Sequence, residues 1–283
     1  MIRKKRIISY ILSILFVIFL TATILLANVN VTLLRADSIK SKLVQANYYE
    51  EVYNTVTEAC NNYIMQSGFE SSIMDGVITK YGIEKDVNGL VDNLYEGKEY
   101  KINDEDIKSK LDKNIQSYVE QNGFEIDEED KNGIEEFKNA IVDTYKRNIE
   151  FSHDTVKGAA KYVKKARKIA SIGAVVLAIV SVLALVLIYK VCKPVVGVIC
   201  VATGALCVAL KCYSGTNVAV SNILVLSKAF SEALISAVNE FLQNVFVVGI
   251  VLCIVGIIWI IVFESKRRIS KMQLLEEHSQ IIR

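Results

Sequence analysis

Apolar and polar positions are distributed unevenly along the chain. Residues 7–27, 170–189, 195–210 and 245–263 form four apolar runs with no charged residue inside them. A bilayer-spanning helix needs about 20 mostly apolar residues, each adding about 1.5 Å. In residues 245–263, fifteen of nineteen positions are Leu, Ile, Val or Phe. At roughly −0.3 to −0.6 kcal/mol apiece these favour insertion by several kcal/mol. The 195–210 run is shorter and rich in Gly, Ala, Cys and Thr, but Lys193 and Lys211 bracket it and can snorkel to opposite interfaces. The pattern predicts transmembrane helices at 7–28, 169–189, 195–211 and 244–263.

Between the first two spans lies a polar block, residues 29–168. It has no proline, and its apolar residues recur three and four positions apart: Val52, Val56, Ala59, Tyr63, then Val87, Leu90, Val91, Leu94. Gly68, Gly76, Gly82, Gly97 and Gly123 punctuate it as helix ends. Another helical stripe, Ile223, Leu226, Phe230, Leu234, Val238, Phe241 and Val245, assigns an amphipathic helix to 212–243, leading into the last span. The fold class expected is all-α: four transmembrane helices plus an extracytoplasmic helical bundle.

The bundle reads as an internal duplication. Tyr63-Ile64-Met65-Gln66-Ser67-Gly68-Phe69-Glu70 matches Tyr118-Val119-Glu120-Gln121-Asn122-Gly123-Phe124-Glu125, 55 residues on. Asn88-Gly89-Leu90-Val91-Asp92 matches Asn139-Ala140-Ile141-Val142-Asp143 at an offset of 51. Units of about 45–100 and 101–155 follow, each too small to bury a core alone. Gly68 and Gly123 are expected as left-handed helix C-caps, each followed by a Phe folding back on the last turn.

Charge sets the orientation. Residues 35–156 carry 26 acidic and 14 basic side chains, while 157–168 add six basic ones and no acid. So acidic a block excludes nucleic acid as a partner. The basic run before the second span reads as a headgroup contact. Basic residues flank the chain's start (1–6), the 190–194 turn and the 264–283 tail, so both termini are expected in the cytoplasm of a plasma-membrane protein. The first run exceeds the core of a signal peptide and lacks a good cleavage site, which makes it an uncleaved anchor.

Candidate chemistry is sparse. Glu84-Lys85-Asp86-Val87-Asn88-Gly89 and Glu128-Glu129-Asp130-Lys131-Asn132-Gly133 share the start of a calcium loop, but Tyr95 and Asn139 stand where its bidentate Glu belongs. Acidic residues opening helices explain both more simply. His153-Asp154 lacks a nucleophile or second His, and no catalytic Ser motif or phosphate loop occurs. Most cysteines lie in or beside the spans; Cys60 is alone in the block, with Cys212 its sole candidate disulfide partner. Neither catalytic residue, cofactor nor metal is expected.

The spans lack the buried charges that transporters use. Instead Ala170, Ala174 and Ala178, Gly197 and Gly204, and Gly249 and Gly256 repeat at helical spacing, as packing seams within the chain or between subunits of a homo-oligomer. The expected function is therefore non-catalytic: beyond the lipid bilayer, a protein partner bound, sensed or scaffolded at the outer face. The one-plus-three span order around an outer domain also resembles cell-division and macrolide-export ABC permeases, which implies an alternative role as a subunit of an export complex. The link between spans two and three is only a few residues, leaving little to engage an ATPase.

Overall fold

The computed structural model of the chain describes residues 2–98, 100–149, 153–191, 193–216 and 227–281. Among them there is helix and no strand, and the contacts divide the chain into two units. The polar unit comprises residues 34–166 and 224–234, and the apolar unit comprises 1–33, 167–223 and 235–283.

The polar unit contains α2 (Ala36–Gln45), α3 (Tyr48–Ser67), a 3-10 turn (Ser71–Met74), α4 (Lys80–Glu96), α5 (Asp104–Asn122) and α6 (Glu128–Ile149). Helix α3 is central and packs on α2, α4, α6 and the 3-10 turn. Its buried face is Tyr48, Val52, Val56, Cys60 and Ile64. The sequence stripe through Ala59 and Tyr63 is thus displaced by one position: Tyr63 is 37% exposed, while smaller Cys60 is fully buried. Ile107, Leu111 and Ile115 of α5 and Phe137, Ile141, Val142, Tyr145 and Ile149 of α6 complete the core. Fully burying one such aliphatic side chain is worth about 1.5–3 kcal/mol.

Local chemistry fixes the helix starts. Thr79 caps α4, its hydroxyl accepting from the Gly82 N–H at 3.1 Å. Before α6, the Asp130 N–H donates to Asp127 Oδ1 at 2.8 Å and the Asp127 N–H to Asp130 Oδ2 at 3.1 Å, a reciprocal capping box. Ion pairs then tie α5 to α6: Lys146 to Asp104 at 2.5 Å, and Lys138 to Asp112 at 2.6 Å.

The apolar unit holds α1 (Ile2–Thr32) and the membrane-compatible lengths of α7 (His153–Val191), α8 (Val195–Thr216) and α9 (Lys228–Ile281). Four helices are long and apolar enough to cross a membrane, over Tyr10–Thr32, Lys161–Lys190, Val195–Ser214 and Lys228–Gln273. Phe16, Ala184, Ile188 and Ile199 form a core joining α1, α7 and α8. The hydroxyls of Thr21, Thr23 and Thr32 each donate to the carbonyl four residues back, so no polar group of theirs faces hydrocarbon unpaired.

The basic run 161–168 is already helical, the front of α7. Residues 212–216 continue α8 and 228–243 open α9, whose helix persists through the 264–281 tail. Ile223 and Leu226 of the expected amphipathic stripe lie outside the described residues. Ser227 starts α9 by accepting from the Phe230 N–H at 3.2 Å. Within the polar unit, Glu51 accepts from the Ala229 N–H at 2.9 Å, its charge placed at the positive end of that helix.

Candidate functional site

The two matched glycines both end helices. Gly68 closes α3 at φ 78° and Gly123 closes α5 at φ 67°, a region where a side chain costs about 1–2 kcal/mol. The phenylalanines after them behave differently. Phe124 folds back on its own helix, its ring 5.9 Å from Tyr118, and stays 56% exposed. Phe69 instead crosses to the other helices, 5.9 Å from Tyr118 and 5.2 Å from Phe137. The matched segments therefore meet in one aromatic row, Phe69–Tyr118–Phe124.

Beside this row runs a polar groove of about 470 Å³ lined by Glu70, Ser72, Asp75, Asn114, Tyr118 and Gln121, among others, with no basic residue. Asn114 shapes its floor by donating to the carbonyls of Ile73 and Asp75, both at 2.9 Å. Met65, on the last turn of α3, is 79% exposed. A partly exposed aromatic row beside a groove with two carboxylates is suited to binding.

The calcium-like motifs serve the fold. Asp86, 9% exposed, accepts from the Tyr100 hydroxyl at 2.5 Å and from the Tyr145 hydroxyl at 2.5 Å. Burial first, and then these bonds to a carboxylate, push both tyrosine pKa values above the ordinary range. Asn88 accepts from Tyr49 at 2.7 Å, and Gly89 lies directly beneath the Tyr100 ring. In the second copy Asp130 is engaged in the α6 capping box. No group of three or more His, Cys, Asp or Glu side chains is arranged to hold a metal ion among the described residues. His153 opens α7, and its side chain lies outside the described residues. Cys60 and Cys212 are free thiols. Burial raises the Cys60 pKa to about 12.

Sequence reasoning missed the Asp86 triad. Its signal was an acidic residue inside the apolar stripe of α4, between Ile83 and Leu90. The partner tyrosines, 14 and 59 residues away, leave no local pattern.

The small-residue positions separate into two groups. Gly197 lies against the Gly256 backbone and Gly204 against that of Gly249, so α8 and α9 meet in one antiparallel seam. A Cβ at Gly204 would come within 2.5 Å of the Gly249 carbonyl, and one at Gly256 within 2.7 Å of the Gly197 carbonyl. The Cys253 thiol points at the Val201 carbonyl at 3.7 Å in the same seam. On α7, Ala170 is buried and Ala174 and Ala178 are half-buried; none of them joins the glycine seam. Mid-span Ser181 Oγ and Thr203 Oγ1 are buried without a partner among the described residues.

Comparisons of the chain with protein families, with curated proteins and with solved structures found no match.

Proposed function

We propose that the chain is a non-catalytic multi-pass membrane protein whose polar unit stands on the outer face and binds or scaffolds a protein partner. The observation that carries this reading is the Phe69–Tyr118–Phe124 row beside a carboxylate-lined groove. Half-buried Phe69 and Tyr118 with exposed Phe124 supply the anchors of an interface, and the carboxylates select a basic counterpart. Both termini are cytoplasmic, and the two helical segments around Gly68 and Gly123 descend from one duplicated unit. The glycine faces of α8 and α9 cover each other within the chain, which favours the polar unit over the spans as the partner-binding part. Span order alone favours an export-permease subunit. With α7 ending at Val191 and α8 starting at Val195, that reading lacks a coupling element.

The test is site-specific photocrosslinking in native membranes. A photoreactive amino acid at Phe124 should give a discrete heavier adduct, and the same residue at Tyr81, 78% exposed on α4, should not. Uncrosslinked monomer from both positions would refute partner binding through this edge. The orientation is tested by an exposed Gln121→Cys in a Cys212→Ser chain, labelled by an impermeant thiol reagent on intact cells; protection until lysis would reverse it. Cys60 itself cannot report orientation because it is fully buried.

A further inference from the structure

At one end of the apolar unit, three helices enclose an apolar cleft. Leu185, Val186 and Tyr189 of α7, Val196 and Cys200 of α8, and Val255 and Trp259 of α9 line a space of about 400 Å³ with no polar lining other than Lys190 at its rim. The Trp259 indole donates to the Lys193 carbonyl at 3.1 Å, and its ring lies 6.4 Å from that of Tyr189. These contacts pin the α7–α8 turn against α9 and give the cleft a fixed aromatic end. The Lys193 ammonium is folded over the Tyr189 ring at 5.2 Å, which holds it at the same mouth as Lys190.

Among the described residues no carboxylate pairs with Lys190 or Lys193. No acidic residue occurs between Asp154, in the first turn of α7, and Glu232, so neither lysine has a carboxylate near it along α7 or α8. The nearest acid along α9, Glu264, is engaged with Arg267 and Arg268. The positive end of α8 begins at Val195, beside Lys193. Here an apolar slot ends in two adjacent cations, with Tyr and Trp at the depth where such rings meet headgroups.

We propose that this cleft is a binding site for one anionic phospholipid, an acyl chain lying between α7, α8 and α9 and its phosphate held by Lys190 and Lys193. Free phosphate is not the ligand, because the cleft itself needs a hydrocarbon chain to fill it.

Trp259 is the only tryptophan in the chain, so its fluorescence reports the site directly. The experiment uses the full chain reconstituted in bilayers containing phospholipids brominated on the acyl chain, which quench a neighbouring indole. Brominated phosphatidylglycerol should quench Trp259 at lower mole fraction than brominated phosphatidylcholine, with a preference of about fivefold or more for two lysines at the surface. Lys190→Gln with Lys193→Gln should abolish the preference while leaving quenching by phosphatidylcholine. Cys200→Phe, which fills the slot and leaves the lysines, should abolish it too, whereas Lys266→Gln outside the cleft should not. Equal quenching by both lipids in the unaltered chain overturns the proposal. So does a preference that survives Cys200→Phe, because the lysines would then act only as a diffuse surface charge.

Discussion

Gly89→Ala isolates the most specific contact in the polar unit. Gly89 sits in the interior of α4, where Ala is favoured over Gly by about 0.8–1.0 kcal/mol on helix propensity. A Cβ there, however, would stand 2.3, 2.4 and 2.5 Å from three atoms of the Tyr100 ring, about 1 Å inside ordinary contact. The ring must move, and the 2.5 Å bond from its hydroxyl to Asp86 goes with it. A hydrogen bond to a charged group is worth about 1.5–3 kcal/mol, so the substitution should destabilise the unit by about 1–2 kcal/mol net. Hydrogen–deuterium exchange on the full chain in detergent, followed on peptides from α4, should therefore quicken by roughly 5- to 30-fold. The decisive arm is a Tyr100→Ala background. There the ring atoms that the added methyl would strike are gone, the propensity gain is freed of that clash, and Gly89→Ala should slow exchange by roughly fivefold relative to Tyr100→Ala. Slower exchange on introducing Gly89→Ala into the unaltered chain, or no change of sign between backgrounds, would refute the reasoning.

Other expectations rest on separate features. Gly204→Leu, forced against the Gly249 carbonyl, should lower the thermal midpoint of Trp259 fluorescence in detergent by the equivalent of about 1–3 kcal/mol, whereas Gly133→Ala, on α6 with nothing within 4 Å, should not lower it. Gly123→Ala, strained at φ 67°, should cost about 1–2 kcal/mol, read as faster amide exchange in the last turn of α5. Burial raises the Cys60 pKa from 9.0 to about 12, and burial also raises those of Tyr48 and Tyr49 from 10.0 to about 12. Below pH 9 the folded and unfolded chains both keep these protons and the stabilisation is complete. As pH rises from 9 towards 12 the unfolded chain releases them first, so stability falls. The urea midpoint measured by circular dichroism should drop across that window, less steeply in Cys60→Ala; an identical slope in that variant would exclude the thiol's part.

The features legible in the sequence are those carried by local composition. Four runs free of charge announce four membrane-compatible helices because insertion depends on summed residue hydrophobicity and little else. The seven-residue spacing of Gly197 with Gly204 and of Gly249 with Gly256 marks both faces of a seam, although spacing alone does not pair one face with the other. Gly68 and Gly123 are readable as caps because a helix end followed by Gly is a local event. The fate of the following phenylalanines is not local: Phe124 returns to its own helix, while Phe69 is drawn away by Phe137 on α6. Asp86 was legible as an acid and illegible as a core residue, since its environment comes from Tyr100 and Tyr145. The displaced stripe of α3 has a similar cause, because neighbouring helices on several sides decide which of Ala59 and Cys60 turns inward.

The Asp86 carboxylate bears on how this unit can be divided. One of its oxygens is satisfied by Tyr100, in the loop between α4 and α5, and the other by Tyr145, on α6. An excised first half would keep a carboxylate in its apolar face with one acceptor unanswered, and an excised second half would keep a tyrosine hydroxyl with nowhere to donate. Halves that share an acid in this way are not independent parts. Neither can be deleted, swapped or expressed alone without the other's tyrosine or aspartate being replaced as well.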